Sequence, residues 1–142
     1  MNHEKTIFER IISGEIPSYK IYEDEKYYAF LDIRPISIGH TLIIPKIAID
    51  YIFDLDNETY HGLFEIATKI APAIQKATNC QRVGMVVEGF GVPHAHLHLV
   101  PLFKIQGLDP NLQHEESPEN LSAMAEKISK ALSTKSQSAR VK

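Results

Sequence analysis

Two kinds of hydrophobic repeat alternate along the chain, and each predicts a different type of element. Three segments carry apolar residues every three or four positions, as in an amphipathic helix, and they are 7–12, 57–78 and 121–132. Five shorter runs are rich in apolar residues and bounded by turn-forming residues, which is typical of strands. The five runs are 19–23, 27–32, 40–45, 82–87 and 92–103. We therefore expect an α+β fold, with an antiparallel sheet and helices packed on it.

Residues that begin and end helices support these boundaries. Gly14 follows the first helical repeat, and a glycine commonly stops a helix. Asp56 or Asn57 can cap the long helix, and Ser117 can cap the last one because a proline follows it. Residues 133–142 are polar, so we expect the end of the chain to fray.

Composition and charge narrow the class of protein. The chain has 142 residues, 44% of them hydrophobic and 23% charged, which suits one globular domain. A net charge of −3 argues against a nucleic-acid-binding surface, which is usually basic. No apolar run approaches the roughly 20 residues of a membrane span, and the first residues lack the apolar region of a secretory signal. Cys80 is a lone cysteine, so no intrachain disulfide can form. We expect a cytoplasmic protein that binds neither nucleic acid nor membranes.

Three histidines stand at alternate positions in PHAHLHLVP, residues 93–101. Because alternate side chains of a strand share one face, we expect His94, His96 and His98 to form one row, about 7 Å apart. The apolar residues between them would face the core. Three readings stay open on this pattern: structural histidines, a metal site that His40 could complete, and covalent catalysis. In the last, one imidazole is the nucleophile and the others orient it and supply protons.

The sequence GVPHAHLHLVP resembles the His-x-His-x-His motif, with apolar residues at x, of the histidine triad (HIT) superfamily of nucleotide hydrolases and transferases. Residues 6–46 resemble the amino-terminal half of that family, most specifically in AFLDIRP and GHTLIIPK. The resemblance covers about residues 6–103 and implies an antiparallel sheet of about five strands with a long helix packed on it. It places a HIT domain at 6–108, followed at 109–142 by a C-terminal extension with one helix and a frayed tail.

The resemblance implies a role for each of four histidines. Family members transfer a nucleoside monophosphate to a histidine and then to water, and the middle histidine of the motif, here His96, is the nucleophile. His98 would contact the phosphate and help to protonate the leaving group, while His94 would hold the nucleophile's environment through hydrogen bonds. His40 matches a histidine that the family brings near the motif, and it either supports catalysis or is a buried structural residue. No metal or other cofactor is expected.

The resemblance also implies a nucleotide pocket. Asp32 matches the carboxylate that accepts the ribose hydroxyls, the alternative being an aspartate that caps the following turn. The residues that match the apolar pocket for the base, with core packing as their alternative, are Phe8, Ile11, Ile16, Phe30, Ile33 and Leu42. We expect the backbone of a glycine-containing turn to meet the phosphate, at Gly89, Gly91 and Val92.

Among the departures from the family pattern are the turn before the motif and the amino-terminal segment. The turn EGFGVP is several residues shorter than the loop in which many members carry Gly-Gln-Ser or Gly-Gln-Thr, and Phe90 stands where the glutamine would be. Residues 6–10 contain no cysteine. The structural zinc that some members bind through a Cys-x-x-Cys pair is therefore not expected.

The resemblance as a whole implies an enzyme that acts on a purine nucleotide. We expect a hydrolase that cleaves adenosine 5′-monophosphate from phosphoramidates or phosphoanhydrides through a nucleotidyl-histidine intermediate. Dinucleoside polyphosphate hydrolysis is one alternative. Non-catalytic nucleotide binding on the same fold is another, and the short turn keeps it open; a zinc hydrolase is more distant. The family is usually a homodimer joined through the sheet edge and the long helix, and we expect the same here.

Overall fold

A computed structural model describes residues 4–103 and 107–138. Its strands form one antiparallel sheet in the order β1-β2-β3-β5-β4. The strands are β1 (Lys20–Glu23), β2 (Tyr27–Leu31), β3 (Thr41–Pro45), β4 (Arg82–Val86) and β5 (Leu97–Leu102). The predicted fold class and the five-stranded sheet are confirmed.

The helices lie where the hydrophobic repeats predicted them. They are α1 (Ile7–Ser13), α2 (Asn57–Thr78) and α3 (Pro118–Ser138), with short 3-10 helices at Ile52–Asp54 and Pro110–Leu112. None of the helices within the described residues is long and apolar enough to cross a membrane.

The predicted helix boundaries at Gly14 and Asp56 are confirmed. Asp56 caps α2 by accepting from the N–H of Thr59, and Gly14 ends α1 with φ +87°. Ile7 is 48% exposed, so it lies off the buried stripe of α1, which on such a short helix spans less than half the circumference. The helix α3 extends to Ser138, further than its hydrophobic repeat predicted, and the frayed tail stays a prediction. Residues 139–142 lie outside the described part of the chain.

Alternation along the strands divides the apolar side chains between two faces of the sheet. On one face, Ala29, Ile43 and Leu97 belong to a large core cluster together with buried residues of α2 and α3. We call this the helix-covered face. On the opposite face, the α1 face, a smaller cluster joins strand residues to two residues of α1. The members of the smaller cluster are Phe8, Ile11, Tyr28, Phe30, Leu42 and Ile44.

The helix α3 shares the core of the sheet. Its residues Leu121, Ala125 and Ile128 are buried in the same cluster as α2 and the strands. The division into a domain at 6–108 and an extension at 109–142 stays a prediction. The two segments nevertheless bury their apolar side chains together.

The last strand begins later than predicted, so two of the three histidines precede it. The strand β5 covers Leu97–Leu102 rather than 92–103. Pro93 has no backbone N–H for a ladder hydrogen bond, and the N–H of Ala95 donates to the carbonyl of Ile49 at 2.7 Å, outside the sheet. The prediction that all three histidines lie on this strand is therefore wrong for His94 and His96, although the rings of His96 and His98 are neighbours, with centroids 5.1 Å apart.

Candidate active site

A pair of hydrogen-bonded histidines lies where β3 meets β5. His98 is in register with Leu42 of the α1 face. Its Nδ1 is 2.9 Å from Nε2 of His40, whose Nδ1 accepts the N–H of Ile36 at 3.1 Å. Because an amide can only donate, Nδ1 of a neutral His40 has no proton, and its Nε2–H donates to His98. His98 therefore carries its own proton on Nε2.

Burial keeps both members of this pair neutral. Desolvation lowers the pKa of His40 to about 4. Desolvation also lowers the pKa of His98 to about 4, and the neighbouring rings of His40 and His96 act in the same direction. Since a neutral imidazole has one N–H and one lone pair, the proton positions inferred above are the ones populated near pH 7.

His96 is oriented by the main chain. Its Nδ1 lies 2.7 Å from the carbonyl oxygen of His94, so the Nδ1–H donates and the lone pair is on Nε2. The ring stands edge-on to two neighbours, with centroids 5.1 Å from His98 and 5.0 Å from Phe8. A ring nitrogen with a lone pair is what a nucleophilic imidazole requires.

The two ring nitrogens of His94 have their hydrogen-bond partners outside the motif. It is fully buried, its Nε2–H donates to the carbonyl of Pro45 at 2.7 Å, and its Nδ1 lies 3.0 Å from Oγ1 of Thr6. Burial lowers the pKa of His94, which keeps the ring neutral. His94 is thus joined to the nucleophile through its carbonyl group and to the start of α1 through its ring.

Asp32 closes the turn after β2 and also faces the histidine pair. Its Oδ1 accepts the N–H of Arg34 at 2.9 Å, as in an aspartate that caps a turn. Its Oδ2 lies 3.7 Å from Nε2 of His40. Burial raises the pKa of Asp32, an effect that the Arg34 N–H and the neighbouring histidines oppose. One oxygen serves the turn and the other stays beside the site, so both predicted uses are compatible.

The predicted base-pocket residues lie together, with one exception. Phe8, Ile11, Phe30 and Leu42 are buried in the α1-face cluster, and Ile16 and Val92 pack against it. The cluster adjoins the nucleophile because Phe8 contacts both. Ile33 lies outside the cluster: it is 61% exposed and lines a different cavity, with Tyr19 and Leu121.

The short turn before His94 brings backbone close to the nucleophile. Gly89 has φ +93°, a left-handed conformation that glycine adopts without strain. Gly89 and Phe90 line a cavity together with His96, and Phe90 is fully exposed. A Cβ at Gly91 would meet nothing within 4 Å, so the backbone there is open to a ligand.

Two cavities at the site were missed by sequence reasoning. One of about 370 Å³ adjoins His96 and is lined by aromatic rings of the loop before α2 and of α2 itself. These aromatic residues are Tyr51, Phe53, Tyr60 and Phe64. Tyr60 and Phe64 follow the helical repeat of α2, so the sequence pattern predicted them to be core residues. The other, of about 150 Å³, adjoins His40 and His98 and is lined partly by Leu108 and Pro110, which follow the sheet in the sequence.

Thr6 was also missed, although the sequence carried a signal for it. A threonine followed three residues later by glutamate, just before an apolar run, is the pattern of a capping box. Thr6 and Glu9 form that box at the start of α1. The pattern predicts the cap, but it does not predict the contact of the same hydroxyl with His94.

One group of residues in the described part of the chain could hold a metal ion. Ligand atoms of Asp32, His40 and His98 all lie within 4.8 Å of one another. A metal-bound histidine must direct a lone pair at the ion. The Ile36 N–H at Nδ1 of His40 leaves the proton on Nε2, the nitrogen that faces the group. The donor set therefore fits the His40–His98 hydrogen bond better than it fits an ion.

Comparison with known proteins assigns the family. The HIT domain model matches residues 13–105. "Protein hit" of Bacillus subtilis is 35% identical over 140 residues, which cover 92% of this chain and 97% of that protein. The adenosine 5′-monophosphoramidase hnt1 of Schizosaccharomyces pombe is 34% identical over 127 residues, 87% of this chain and 95% of the relative. A Hit-like protein involved in cell-cycle regulation from Bartonella henselae has a crystal structure with a TM-score of 0.83 and 34% identity, covering 92% of this chain and 98% of that chain. The chain therefore belongs to the HIT domain family.

Proposed function

We propose that this protein hydrolyses adenosine 5′-monophosphate derivatives, phosphoramidates above all, with His96 as the nucleophile. The observation that carries the proposal is the 2.7 Å hydrogen bond from Nδ1 of His96 to the carbonyl of His94. It fixes the lone pair on the opposite ring nitrogen, Nε2. The similarity to an adenosine 5′-monophosphoramidase over 87% of the chain supports the choice of substrate.

In the first step, the lone pair of His96 Nε2 attacks the α-phosphorus. A nitrogen–phosphorus bond forms, and the bond to the leaving group breaks. The charge that develops on the His96 ring is stabilised because its Nδ1–H already donates to a carbonyl oxygen. His98 holds its proton on Nε2 and donates it in a hydrogen bond to the leaving atom. The leaving atom departs with one proton, relayed through His98, and the water that attacks in the second step returns one proton to the site.

In the second step, water attacks the phosphorus of the nucleotidyl-histidine. The bond to Nε2 breaks, AMP leaves, and the imidazole regains its lone pair. An imidazole suits both steps because its ordinary pKa lies near neutrality, so it is a competent nucleophile and a competent leaving group. Two moderate barriers then replace one large one.

With the phosphorus beside His96, we can also propose where the base, the ribose and the phosphate oxygens bind. The base enters the α1-face cluster beside Phe8 and Phe30, which adjoins the nucleophile. The ribose hydroxyls reach Asp32, whose Oδ2 is not used by the turn. The phosphate oxygens meet the open backbone around Gly89 and Gly91.

A second candidate, dinucleoside polyphosphate hydrolysis, is favoured by the aromatic cavity. The cavity of about 370 Å³ beside His96 is lined by rings that could stack on a second base. In that reaction the leaving group is a nucleotide rather than an amine. The same nucleophile and the same covalent intermediate serve both reactions.

The test compares turnover of an adenosine alkyl-phosphoramidate and of a diadenosine polyphosphate by the wild type, His96→Ala and His61→Ala. His61 is an exposed histidine of α2 and serves as the matched control. We expect the phosphoramidate to be the better substrate, His96→Ala to lose about 10⁴-fold or more in kcat, and His61→Ala to keep its activity. Full turnover by His96→Ala would contradict the mechanism. AMP binding without turnover of either substrate would identify a binding protein instead.

We propose in addition that the protein is a homodimer joined at β4. This strand is an edge of the described sheet, and its Met85 is 52% exposed. Unpaired edge strands tend to pair with another chain. Light scattering should give the mass of a dimer, and Met85→Lys should give a monomer, while Ile47→Lys, at an exposed residue that follows β3, should not. A monomeric wild type would contradict this proposal.

A further inference from the structure

Thr6 connects the first turn of α1 to the buried ring of His94. Its Oγ1 accepts the N–H of Glu9 at 3.0 Å, and its own N–H donates to Oε1 of Glu9 at 2.9 Å. The same Oγ1 lies 3.0 Å from Nδ1 of His94, a residue 88 positions away in the sequence. Thr6 and His94 are both buried, so water does not compete for this hydrogen bond.

The groups around Thr6 are satisfied by one arrangement of protons. Nε2–H of His94 donates to the carbonyl of Pro45, so Nδ1 of the neutral ring is an acceptor. The hydroxyl of Thr6 then accepts from Glu9 and gives its single proton to His94. A hydroxyl can donate and accept at once, which neither an ammonium nor an ionised carboxylate can do.

The arrangement continues from His94 to the nucleophile. The ring of His94 is held at both nitrogens, by Thr6 and by Pro45. Its carbonyl oxygen accepts the Nδ1–H of His96 at 2.7 Å. The helix that Thr6 caps also supplies Phe8, whose ring lies 5.0 Å from that of His96 and 5.7 Å from that of His94. Thr6 is thus connected to His96 in two ways, through the hydrogen bonds of His94 and through the Phe8 ring of the helix that it caps.

We propose that Thr6 is a positioning residue for the nucleophile: its hydroxyl fixes the tautomer and orientation of His94 and, through the carbonyl of His94, those of His96. The effect on hydrogen bonding follows from the geometry of the folded protein. The effect on catalysis rests on the proposed function, since it requires that His96 Nε2 attacks phosphorus.

Removing the hydroxyl leaves a buried acceptor without a donor. Nδ1 of His94 would then lack a partner inside a fully buried environment, which is unfavourable for a polar atom. The His94 ring can avoid this unfavourable state by rotating by about 180° or by taking up a proton. Either response disturbs the carbonyl that orients His96, and it does so without altering any residue of the nucleotide pocket.

Three variants separate positioning from stability. Thr6→Val keeps the shape of the side chain and removes the hydroxyl, whereas Thr6→Ser keeps the hydroxyl. Ser117→Ala is the matched control because it removes the N-cap of another helix, where Ser117 Oγ accepts the N–H of Asn120 at 3.1 Å. Loss of a cap destabilises a protein in either place, but α3 begins away from the histidines of the motif.

The kinetic measurement is single-turnover nucleotidyl transfer together with kcat and KM on an adenosine alkyl-phosphoramidate. Thr6→Val should lower the rate of transfer about 3- to 10-fold, as expected for the loss of one buried hydrogen bond. Its KM should change by less than about twofold, since the groups that bind the nucleotide are intact. Thr6→Ser should restore most of the rate, and Ser117→Ala should lower the melting temperature without lowering kcat.

The spectroscopic measurement uses the imidazole nitrogen resonances of ¹⁵N-histidine-labelled protein without substrate. The wild type should show His96 protonated on Nδ1 and His94 protonated on Nε2, and Thr6→Val should show mixed tautomers for both. Unchanged ring resonances in Thr6→Val would overturn the proposal, and so would an unchanged rate of transfer in a wild type that turns over. If the wild type has no turnover, the proposed function fails, and the resonances alone decide whether Thr6 positions His96.

Discussion

The helix-covered face and the α1 face are built from alternating residues of the same strands, yet they are covered very differently. On the helix-covered face, α2 with 22 residues and α3 with 21 residues pack against the sheet. On the α1 face, a single helix of 7 residues contributes Phe8 and Ile11 to a smaller cluster with the strands. The neighbours Leu42 and Ile43 on β3 point to opposite faces, so a single strand serves both environments.

The helix-covered face mainly stabilises the fold, whereas the α1 face carries the residues of the candidate active site. The helix-covered face buries apolar side chains, which supply most of the driving force for folding. The α1 face carries His98 beside its apolar cluster, with His40 and Asp32 close to it, and a cavity of about 150 Å³ adjoins His40 and His98. All buried side-chain nitrogens and oxygens of the described residues nevertheless have hydrogen-bond partners. The site is therefore organised before any nucleotide arrives.

The largest expected contrast comes from truncating neighbours that face opposite ways. Ile43→Ala should lower the free energy of unfolding by about 2–5 kcal/mol, since it opens a cavity in the fully packed core. Leu42→Ala should cost less stability, because Leu42 belongs to the smaller cluster and is 6% exposed whereas Ile43 is fully buried, and it should raise the Kd of AMP several-fold. Urea unfolding and AMP titration measure the two effects. Equal effects of both variants on stability and binding would show that the faces do not differ as described.

Acid should destabilise the protein through the α1 face. The pKa values of His40 and His98 are about 4 when folded, against roughly 6.5 when unfolded. Between those values the unfolded chain binds the extra protons, so the free energy of unfolding falls as pH falls, by about 1.4 kcal/mol per pH unit for each proton. The raised pKa of Asp32 opposes this in part.

Unfolding measured at a series of pH values from 7 to 4.5 tests the acid effect. His98→Gln should show a shallower dependence on pH than the wild type, because one of the buried neutral histidines is gone. The same slope in both proteins would contradict the assignment of the acid sensitivity to the His40–His98 pair.

The smallest expected effect concerns the ribose. Asp32→Asn should weaken binding of AMP by roughly tenfold, as expected when a charged hydrogen-bond acceptor is lost, and should affect 2′-deoxy-AMP less. The wild type should therefore discriminate between the two nucleotides and the variant should not. Equal affinities of the wild type for AMP and its 2′-deoxy form would remove the ribose role of Asp32 and leave its role in the turn.

The helices and strands that have a clear hydrophobic repeat and recognisable capping or turn residues were predictable from sequence. The range 57–78 of α2 coincides with the predicted helix because its repeat, its Asp56 cap and its length agree. The start of β5 was not predictable, since the hydrogen bond between Ala95 and Ile49 depends on the packed fold rather than on local pattern.

The candidate site was likewise predictable from sequence in some respects and not in others. The motif and the family resemblance pointed to His96 and His98, but the proton on each ring follows from partners that lie far away in the sequence. His40 meets His98 because β3 and β5 align at Leu42. Ile33 lies in the turn after β2 and is 61% exposed, an exposure that a pattern of apolar residues does not determine.

Covalent transfer to His96 is the central claim, and intact-protein mass spectrometry after brief mixing with an adenosine alkyl-phosphoramidate tests it most directly. The wild type is compared with His96→Ala, which lacks the nucleophile, and with His98→Ala, which should form the adduct more slowly because His98 assists the leaving group. We predict a mass increase of one AMP moiety, mapping to His96 after proteolysis. Product formation with no adduct at any mixing time, together with undiminished turnover by His96→Ala, would contradict the account.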